Sequence, residues 1–452
     1  MVNQKTRHVK LWLLMLAAVV FWTIGTGFYR DLAAKSEEAY EELKVFSDVI
    51  ELIEREYVDE VDTKDLIQKA IQGMVHSLDP HSSLLPVDAF EDLQIDTKGK
   101  FTGIGIHITM QDGFVTVITP IEDTPAYKAG IKARDKIIKV DDKPAKDLRE
   151  AVNMMRGPKG TKVKVTILRE GVKKPLDFEL IRDVIPIQSV KFTNLKPGYG
   201  FIRLSNFTGT TTDELKKALE KLENAKMPLR GLILDLRNNG GGLLNQSIKV
   251  ADLFLDEGKI LSIRGRNQKN TKVFRAKSST EKRSYPMVVL INGGSASASE
   301  IVAGALKDHK RALILGTTSF GKGSVQTVET LRDGSGLKLT IARYYTPNGH
   351  SIQAKGIDPD IFLKHQRLDI GETQGKEEGL LKEKDLVNHL EAEPDIELDK
   401  DSENEEDNEK SRMQEVEFRV GPLKSETLQT DNQVMRALEL LEGYNIFQKL
   451  KS

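Results

Sequence analysis

The apolar positions change period along the chain. Between residues 35 and 96 they recur at helical spacing: Val45, Val49, Leu52, Ile53 and Tyr57, then Leu66, Ile67, Ala70, Ile71 and Met74. That is the rhythm of helices with one buried face. LDPHSSLLP (residues 78–86) ends this section with turn residues. From Phe101 the texture becomes short β-type runs broken by glycine and Asp-Gly. FTGIGIHITMQDGFVTVITPI is followed by TPAYKAG and DKIIKVDDKPA, then by a helical LREAVNMMRG and the strand pair KVKVTILREGVKKPLDFELI. Strands around one short helix within about 85 residues make a compact domain.

Beyond residue 198 strands and helices alternate. GYGFIRLSNF, GLILDLR, MVVLIN and ALILGTT read as strands, separated by TTDELKKALEKLENA, LLNQSIKVADLFLDEG and SEIVAGALKDH as helices. Strands joined by helices of this length predict a mostly parallel sheet covered by helices, and LKLTIARYYTPNG adds a strand. After residue 363 the pattern lapses. Eleven of the nineteen residues from Glu391 to Glu409 are acidic, a composition unable to bury a core. VMRALELLEGYNIFQKL then returns to helical spacing. The domains expected are an export or anchor segment (1–34), a helical region (35–96), a β-rich domain (97–184), an α/β core (185–365), a disordered acidic linker (366–415) and a C-terminal helical segment (416–452).

Composition narrows the class. Apolar residues make up 39% and charged residues 30% of 452, with a formal net charge of −1, so nothing points to nucleic acid as a partner. There is no cysteine, which removes disulfides and thiolate chemistry. Lys5, Arg7 and Lys10 precede an uncharged run at residues 11–29. A basic head before an apolar run of membrane-spanning length predicts an extracytoplasmic (periplasmic) chain tethered to the inner membrane by a retained anchor. Nucleotide chemistry is out of place there.

This bears on GTTSFGKGSVQ, residues 316–326, which nearly spells the phosphate loop G-x-x-x-x-G-K. That loop needs Ser or Thr after the lysine and a helix beyond it. Here Gly323 follows Lys322, and SVQTVETL is strand-like. Lys322 therefore has another task.

MVVLIN runs through GGSASASE into IVAGALKDH, a strand, glycine turn and helix that stands Ser297 at a helix N-terminus between small neighbours. Nucleophile elbows share this geometry. Ser297-x-x-Glu300 is also a capping box, and taken alone that reading suffices. A catalytic serine needs a base. His309 lies about 18 Å down the helix at 1.5 Å per residue, and His350 in TPNGH is the one rival to lysine. A lysine buried in an apolar site loses its charge more readily and can take a serine proton. Lys322 sits one strand on, between Gly321 and Gly323, at the same edge of a parallel sheet. LRNNGGGLL follows GLILD and brings backbone N–H groups to that edge, where two such donors form an oxyanion hole. Asp235 reads as a structural turn residue.

With GSASASE, FGKGSVQ, LRNNGGG, IQGMVHSLDPHS and GIDPDI in place, the chain resembles the C-terminal processing peptidases over most of residues 40–363. The resemblance implies a multidomain α/β protein: N-terminal helices, a PDZ domain, an α/β serine protease core with a mostly parallel sheet, and a C-terminal helical segment. It implies Ser297 as nucleophile, Lys322 as general base and Gln326 as the residue orienting the lysine. Ala298 with Gly241 and Gly242 would supply the oxyanion donors. Four residues along a strand span about 13 Å, so a bend or helical turn is expected between Lys322 and Gln326. FTGIGIHI, with Gly103, Ile104, Gly105 and Ile106, matches the PDZ loop that binds a terminal carboxylate, beside a strand edge open to β-augmentation. Two departures stand out: Arg134-Asp135 where the family usually has Gly-Asp, and Gly240 where it commonly has Pro. The expected activity is ATP-independent endoproteolysis of proteins with unstructured C-termini, without metal or cofactor. An adaptor protein and homo-oligomerisation through the terminal helices are further expectations. The alternative is a non-catalytic envelope scaffold presenting partners on its PDZ module, which would have no use for the serine, lysine, glutamine and glycine loop together.

Overall fold

The computed structural model describes residues 12, 15, 40–277, 282–366, 382–386, 388–391, 423 and 428–451. The chain divides into two compact units, residues 1–75 and 76–452. In the first, residues 40–56 form one helix and Thr63–His76 a second that ends at the boundary. The anchor expected at residues 11–29 lies almost wholly outside the described residues. Among the described residues no helix is long and apolar enough to cross a membrane.

In the second unit the short strand Ser83–Leu85 precedes the helix Val87–Lys98, and an antiparallel β domain follows. Its sheet places Ile106–Gln111 at one edge, then Phe114–Pro120, Lys136–Val140, Lys162–Leu168 and Leu176–Ile181. The core is filled by alternate residues such as Val115 and Val117, Val163, Val165 and Ile167, the period of two that a half-buried strand requires. Helix Leu148–Met155 is capped by Asp147, whose carboxylate accepts the N–H groups of Arg149 and Glu150. Lys100–Gly103 pairs with Asp183–Pro186 and closes the domain at its base.

The α/β core holds two sheets. In the first, Val190–Lys196 pairs antiparallel with Tyr199–Leu204, and Gly231–Asp235, Met287–Ile291, Leu313–Gly316 and Ile361–Phe362 continue from it in parallel. Both faces are covered, so these strands read as unbroken apolar runs. Leu232, Leu234, Val289 and Ile291 face the cluster containing Leu215, Val250 and Ile301 of the helices Thr211–Glu223, Leu244–Asp252 and Ala298–Asp308. Ile233, Val288 and Leu290 face Val434, Leu438 and Leu441 of the C-terminal helix Asn432–Lys451. That helix is pinned by Arg237, which holds Asp235 and Asp431, each at 2.9 Å. Asp235 is thus the structural residue expected.

The second sheet departs from the parallel expectation. Gly336–Tyr345 pairs antiparallel with Ser324–Thr330, Lys259–Arg264 and Ser83–Leu85, and Lys272–Arg275 extends it. Ser83–Leu85 lies within LDPHSSLLP and is a strand rather than part of a terminal turn; its partner strand is far away in sequence, beyond reach of local pattern. The acidic linker also needs correction in part. Glu383–Asp385 form a single 3-10 turn, and Glu383 is fully buried. The rest of the expected linker lies mostly outside the described residues.

Candidate active site

Met287–Ile291 and Leu313–Gly316 are neighbouring parallel strands, so the segments leaving their C-terminal ends emerge at one edge, where open α/β sheets place their sites. The first leads into Ser297. The second leads into Lys322. The turn between Ile291 and Ser297 is tied down by Ser295, whose hydroxyl donates to the Leu236 carbonyl at 2.8 Å and whose carbonyl accepts the Phe320 N–H at 3.0 Å.

Ser297 is the N-cap of Ala298–Asp308 with φ 54 and ψ −109. A side chain with a Cβ avoids this region, and holding it there costs on the order of 1–3 kcal/mol. Small neighbours allow it: an ideal Cβ on Gly241 would lie 2.9 Å from Ser297 Cβ and 2.9 Å from the Ala296 carbonyl oxygen. The Tyr344 phenol is pushed up to about 12 by burial, an effect that the nearby Ser297 side chain opposes.

The capping-box glutamate does more than cap. Glu300, fully buried, accepts the Ser297 N–H at 2.7 Å and the Lys322 N–H at 2.9 Å on Oε2. Its Oε1 accepts the Ser319 hydroxyl at 2.6 Å and the Gly321 N–H at 2.7 Å. Burial pushes this carboxyl up to about 7, against the four donated hydrogen bonds that favour the carboxylate. One side chain thus fixes the serine turn to the lysine loop. The pattern Ser-x-x-Glu signals the cap; nothing local signals the lysine loop.

Lys322 is mostly buried, and desolvation lowers its ammonium from the usual 10.5 to about 8. Lys338 pushes in the same direction, while Glu383, Glu300 and Asp79 oppose it. Glycines are required on both sides. Gly321 has φ +100 and sits against the Ala354 backbone, and a Cβ on Gly323 would be 2.3 Å from Gln353 N. At pH 7 a group titrating near 8 is neutral in roughly a tenth of molecules, enough to serve as a base.

Gln326 lies in Ser324–Thr330, which is a strand with no helical turn; a register shift between Val325 and Gln326 is what bends it. Its amide donates to Ser324 Oγ at 2.9 Å and Thr340 Oγ1 at 3.3 Å. Among the described residues it makes no hydrogen bond to Lys322, so the direct orienting contact expected from the resemblance is not formed.

The glycine loop is locked to the serine turn by Asn239, fully buried. Its carbonyl accepts the Ala296 N–H at 3.0 Å and the Ser299 hydroxyl at 2.8 Å. Its side chain donates to the Leu204 carbonyl at 2.9 Å and accepts the Gly241 N–H at 3.0 Å. Gly241 thus reaches Ser297, but its amide is engaged by Asn239 rather than open to an oxyanion. Gly242, φ +135, packs on Phe207, whose carbonyl oxygen would lie 2.3 Å from an added Cβ. Ala298 is the first residue of the helix, where the N–H has no intrahelical acceptor. Neither His350 nor His309 serves as the base: His350 is exposed, and His309 Nε2 is held by the Lys259 carbonyl at 2.7 Å.

In the β domain, Gly103, Ile104 and Gly105 are buried and Ile106 is half-buried at the start of the edge strand. The Ile104 carbonyl accepts the Ala126 N–H at 2.9 Å and the Gly105 carbonyl the Ile121 N–H at 3.0 Å. Among the described residues Ile106–Gln111 pairs only with Phe114–Pro120, and no described strand covers its other edge. Arg134 takes φ 71, so the turn is kept where the family has glycine. Asp135 behind it is gripped by Arg169 Nε and Nη2 at 2.8 and 2.7 Å.

Three family models match the chain: Peptidase family S41 over residues 198–363, PDZ domain over 102–180, and the activating protease CtpB N-terminal domain over 27–88. A carboxy-terminal-processing protease of Bartonella bacilliformis is 46% identical over 363 residues, spanning 77% of this chain and 83% of its own. The carboxy-terminal processing protease CtpA of Bacillus subtilis is 39% identical over 72% of this chain and 68% of its own. A solved photosystem II D1 C-terminal processing protease is 34% identical, covering 71% of this chain and 92% of its own with a TM-score of 0.41.

Proposed function

The chain belongs to peptidase family S41, the carboxy-terminal-processing serine proteases with a PDZ domain, and from that premise we propose that Ser297 and Lys322 form its catalytic dyad. The observation that carries this reading is the shared Glu300 oxygen, which anchors the backbone of both residues. Neutral Lys322 takes the Ser297 hydroxyl proton as Oγ attacks the scissile carbonyl carbon. The developing oxyanion is met by the Ala298 N–H, with the helix dipole behind it. The second donor is the Gly241 amide, which exchanges Asn239 Oδ1 for the substrate oxygen. Collapse breaks the C–N bond and returns the proton from the Lys322 ammonium to the leaving amine. Water, deprotonated by Lys322, then hydrolyses the acyl-enzyme. Gln326 acts on this lysine indirectly, by way of Thr340 and Asp79.

The substrate is a protein with an unstructured C-terminus. Its last residues add to the open edge of Ile106–Gln111, and its carboxylate meets the backbone of Gly103–Ile106. The basic head and apolar run at residues 5–29 support an extracytoplasmic enzyme tethered to the membrane. Exposed apolar residues on the terminal helices, among them Leu43, Phe46, Phe447 and Leu450, support self-assembly through them; an adaptor remains an additional partner to seek.

The test is incubation of the full chain, without ATP, with a protein bearing an apolar C-terminal tail, read by mass spectrometry. Wild type cleaves it. Ser297→Ala and Lys322→Ala leave it intact while keeping the wild-type circular dichroism spectrum. Full activity in either variant removes the dyad.

A further inference from the structure

The acidic stretch after the core contributes a buried carboxylate to the lysine loop. Glu383 is fully buried. Its carboxylate contacts His81 Nε2 at 2.8 and 2.6 Å and accepts from Gln353 Nε2 at 2.9 Å. Its own N–H donates to the Phe320 carbonyl at 3.2 Å. Gln353 completes the grip: its Oε1 accepts the Gly323 N–H at 3.0 Å, and its amide also donates to the Leu390 carbonyl at 3.0 Å. Phe320 and Gly323 flank Gly321-Lys322, so both ends of the base-bearing turn are held through Glu383 or its partner.

A second buried carboxylate, Asp79, is tied to Glu383 through His81. Asp79 accepts the N–H groups of His81 and Ser82 at 2.8 and 2.9 Å, the Ser82 hydroxyl at 2.6 Å and the Thr340 hydroxyl at 3.1 Å. His81 therefore joins Asp79, through its backbone, to Glu383, through its ring. Burying a carboxylate is costly unless it is hydrogen-bonded or faces a cation, and the Glu383 carboxylate is met by His81 and Gln353.

We propose that Glu383 is a positioning residue for the Lys322 base: together with Gln353 it clamps the Phe320–Gly323 turn that carries the amine. The proposal rests on the Ser297–Lys322 reading. The groups facing Lys322 are Lys338, Glu300, Asp79 and Glu383, and those facing Glu383 are His81, Gln353 and Lys322. Among these, Glu383 is the largest source favouring the ammonium. Removing its charge therefore makes Lys322 easier to deprotonate, while removing its grip loosens the turn. The two effects are separable by variant.

The experiment compares full-length wild type, Glu383→Gln and Glu383→Ala by kcat and KM from pH 5.5 to 9.5 (a range chosen to bracket the lysine), alongside labelling of Ser297 by a fluorophosphonate. Glu383→Gln keeps the shape of the side chain. Its acid limb in kcat/KM is expected to move to lower pH by on the order of half a unit. Glu383→Ala is expected to lose about tenfold or more in kcat, with KM within about twofold, and to show the same movement of the limb. A Glu383→Gln profile superimposed on that of wild type overturns the proposal, as does a fall in thermal stability in both variants with the wild-type limb retained, which marks a structural role only. Absence of Ser297 labelling in wild type overturns the dyad itself, and is read independently of the limb.

Discussion

Glu300 Oε2 accepts the backbone N–H of Ser297 at 2.7 Å and that of Lys322 at 2.9 Å. A nucleophile and a base 25 positions apart (322 minus 297) are thereby registered to a single atom. A carboxylate suits this position because every partner is a donor. Glu300→Gln presents an amide N–H₂ to some of those same donors and leaves them unpaired. The expected result is a loss of about 2–4 kcal/mol in stability and roughly a hundredfold in kcat, with KM little changed. Chemical denaturation and steady-state kinetics on the same preparation check it.

Lys322 makes the fold less stable than an apolar residue would. Its folded-state value of about 8 lies below the usual 10.5, so the folded state binds the proton less tightly than the unfolded chain. The resulting cost is full below pH 8, shrinks as pH rises from 8 to 10.5, and is absent above. Lys322→Met should therefore stabilise the protein at neutral pH by up to about 3 kcal/mol and abolish turnover. Urea titrations at pH 7 and pH 10.5 should show this gain at the lower pH and little of it at the higher.

The glycine loop offers a comparison with an internal control. An added Cβ at Gly241 meets Ser297 and Ala296 at a left-handed φ of +102, whereas one at Gly240 meets nothing within 4 Å. Gly241→Ala should reduce kcat/KM by about a hundredfold or more, and Gly240→Ala should change it less than about threefold. Comparable losses in both variants would contradict the placement of Gly241 against the nucleophile.

In the PDZ domain Arg134 holds φ 71, a conformation that glycine adopts without penalty. Arg134→Gly should raise stability by about 0.5–1 kcal/mol, the relief of left-handed strain exceeding the added freedom of the unfolded chain. Thermal denaturation decides it, and a lower midpoint would contradict the account.

Much of this was legible in sequence because it is local. GLILD and MVVLI announce strands buried on both faces, and the turn before Ser297 carries its own small residues. The antiparallel sheet was not legible. Ser83–Leu85 pairs with Gly336–Tyr345, and no local period reports a partner so distant. Gln326 shows the same limit: four-residue spacing suggests a turn, but long-range pairing keeps the segment a bulged strand. Glu383 is hidden more deeply. Composition marks its surroundings as solvated, and only His81, 302 residues away, and Gln353 reveal why this one carboxylate is buried. Glu300 was half legible: the capping box names its helix but not the lysine loop it also holds.

The central claim is that Ser297 is the nucleophile and that neutral Lys322 activates it. The most direct measurement is the rate of covalent fluorophosphonate labelling of the full chain, followed by intact mass and peptide mapping from pH 6 to 9.5. The account predicts one adduct, on Ser297, at a rate that rises with pH about a midpoint near 8. No adduct forms in Ser297→Ala, and labelling of Lys322→Ala falls by at least about a hundredfold at pH 8. Labelling of Lys322→Ala at the wild-type rate, or an adduct on another residue, would contradict it.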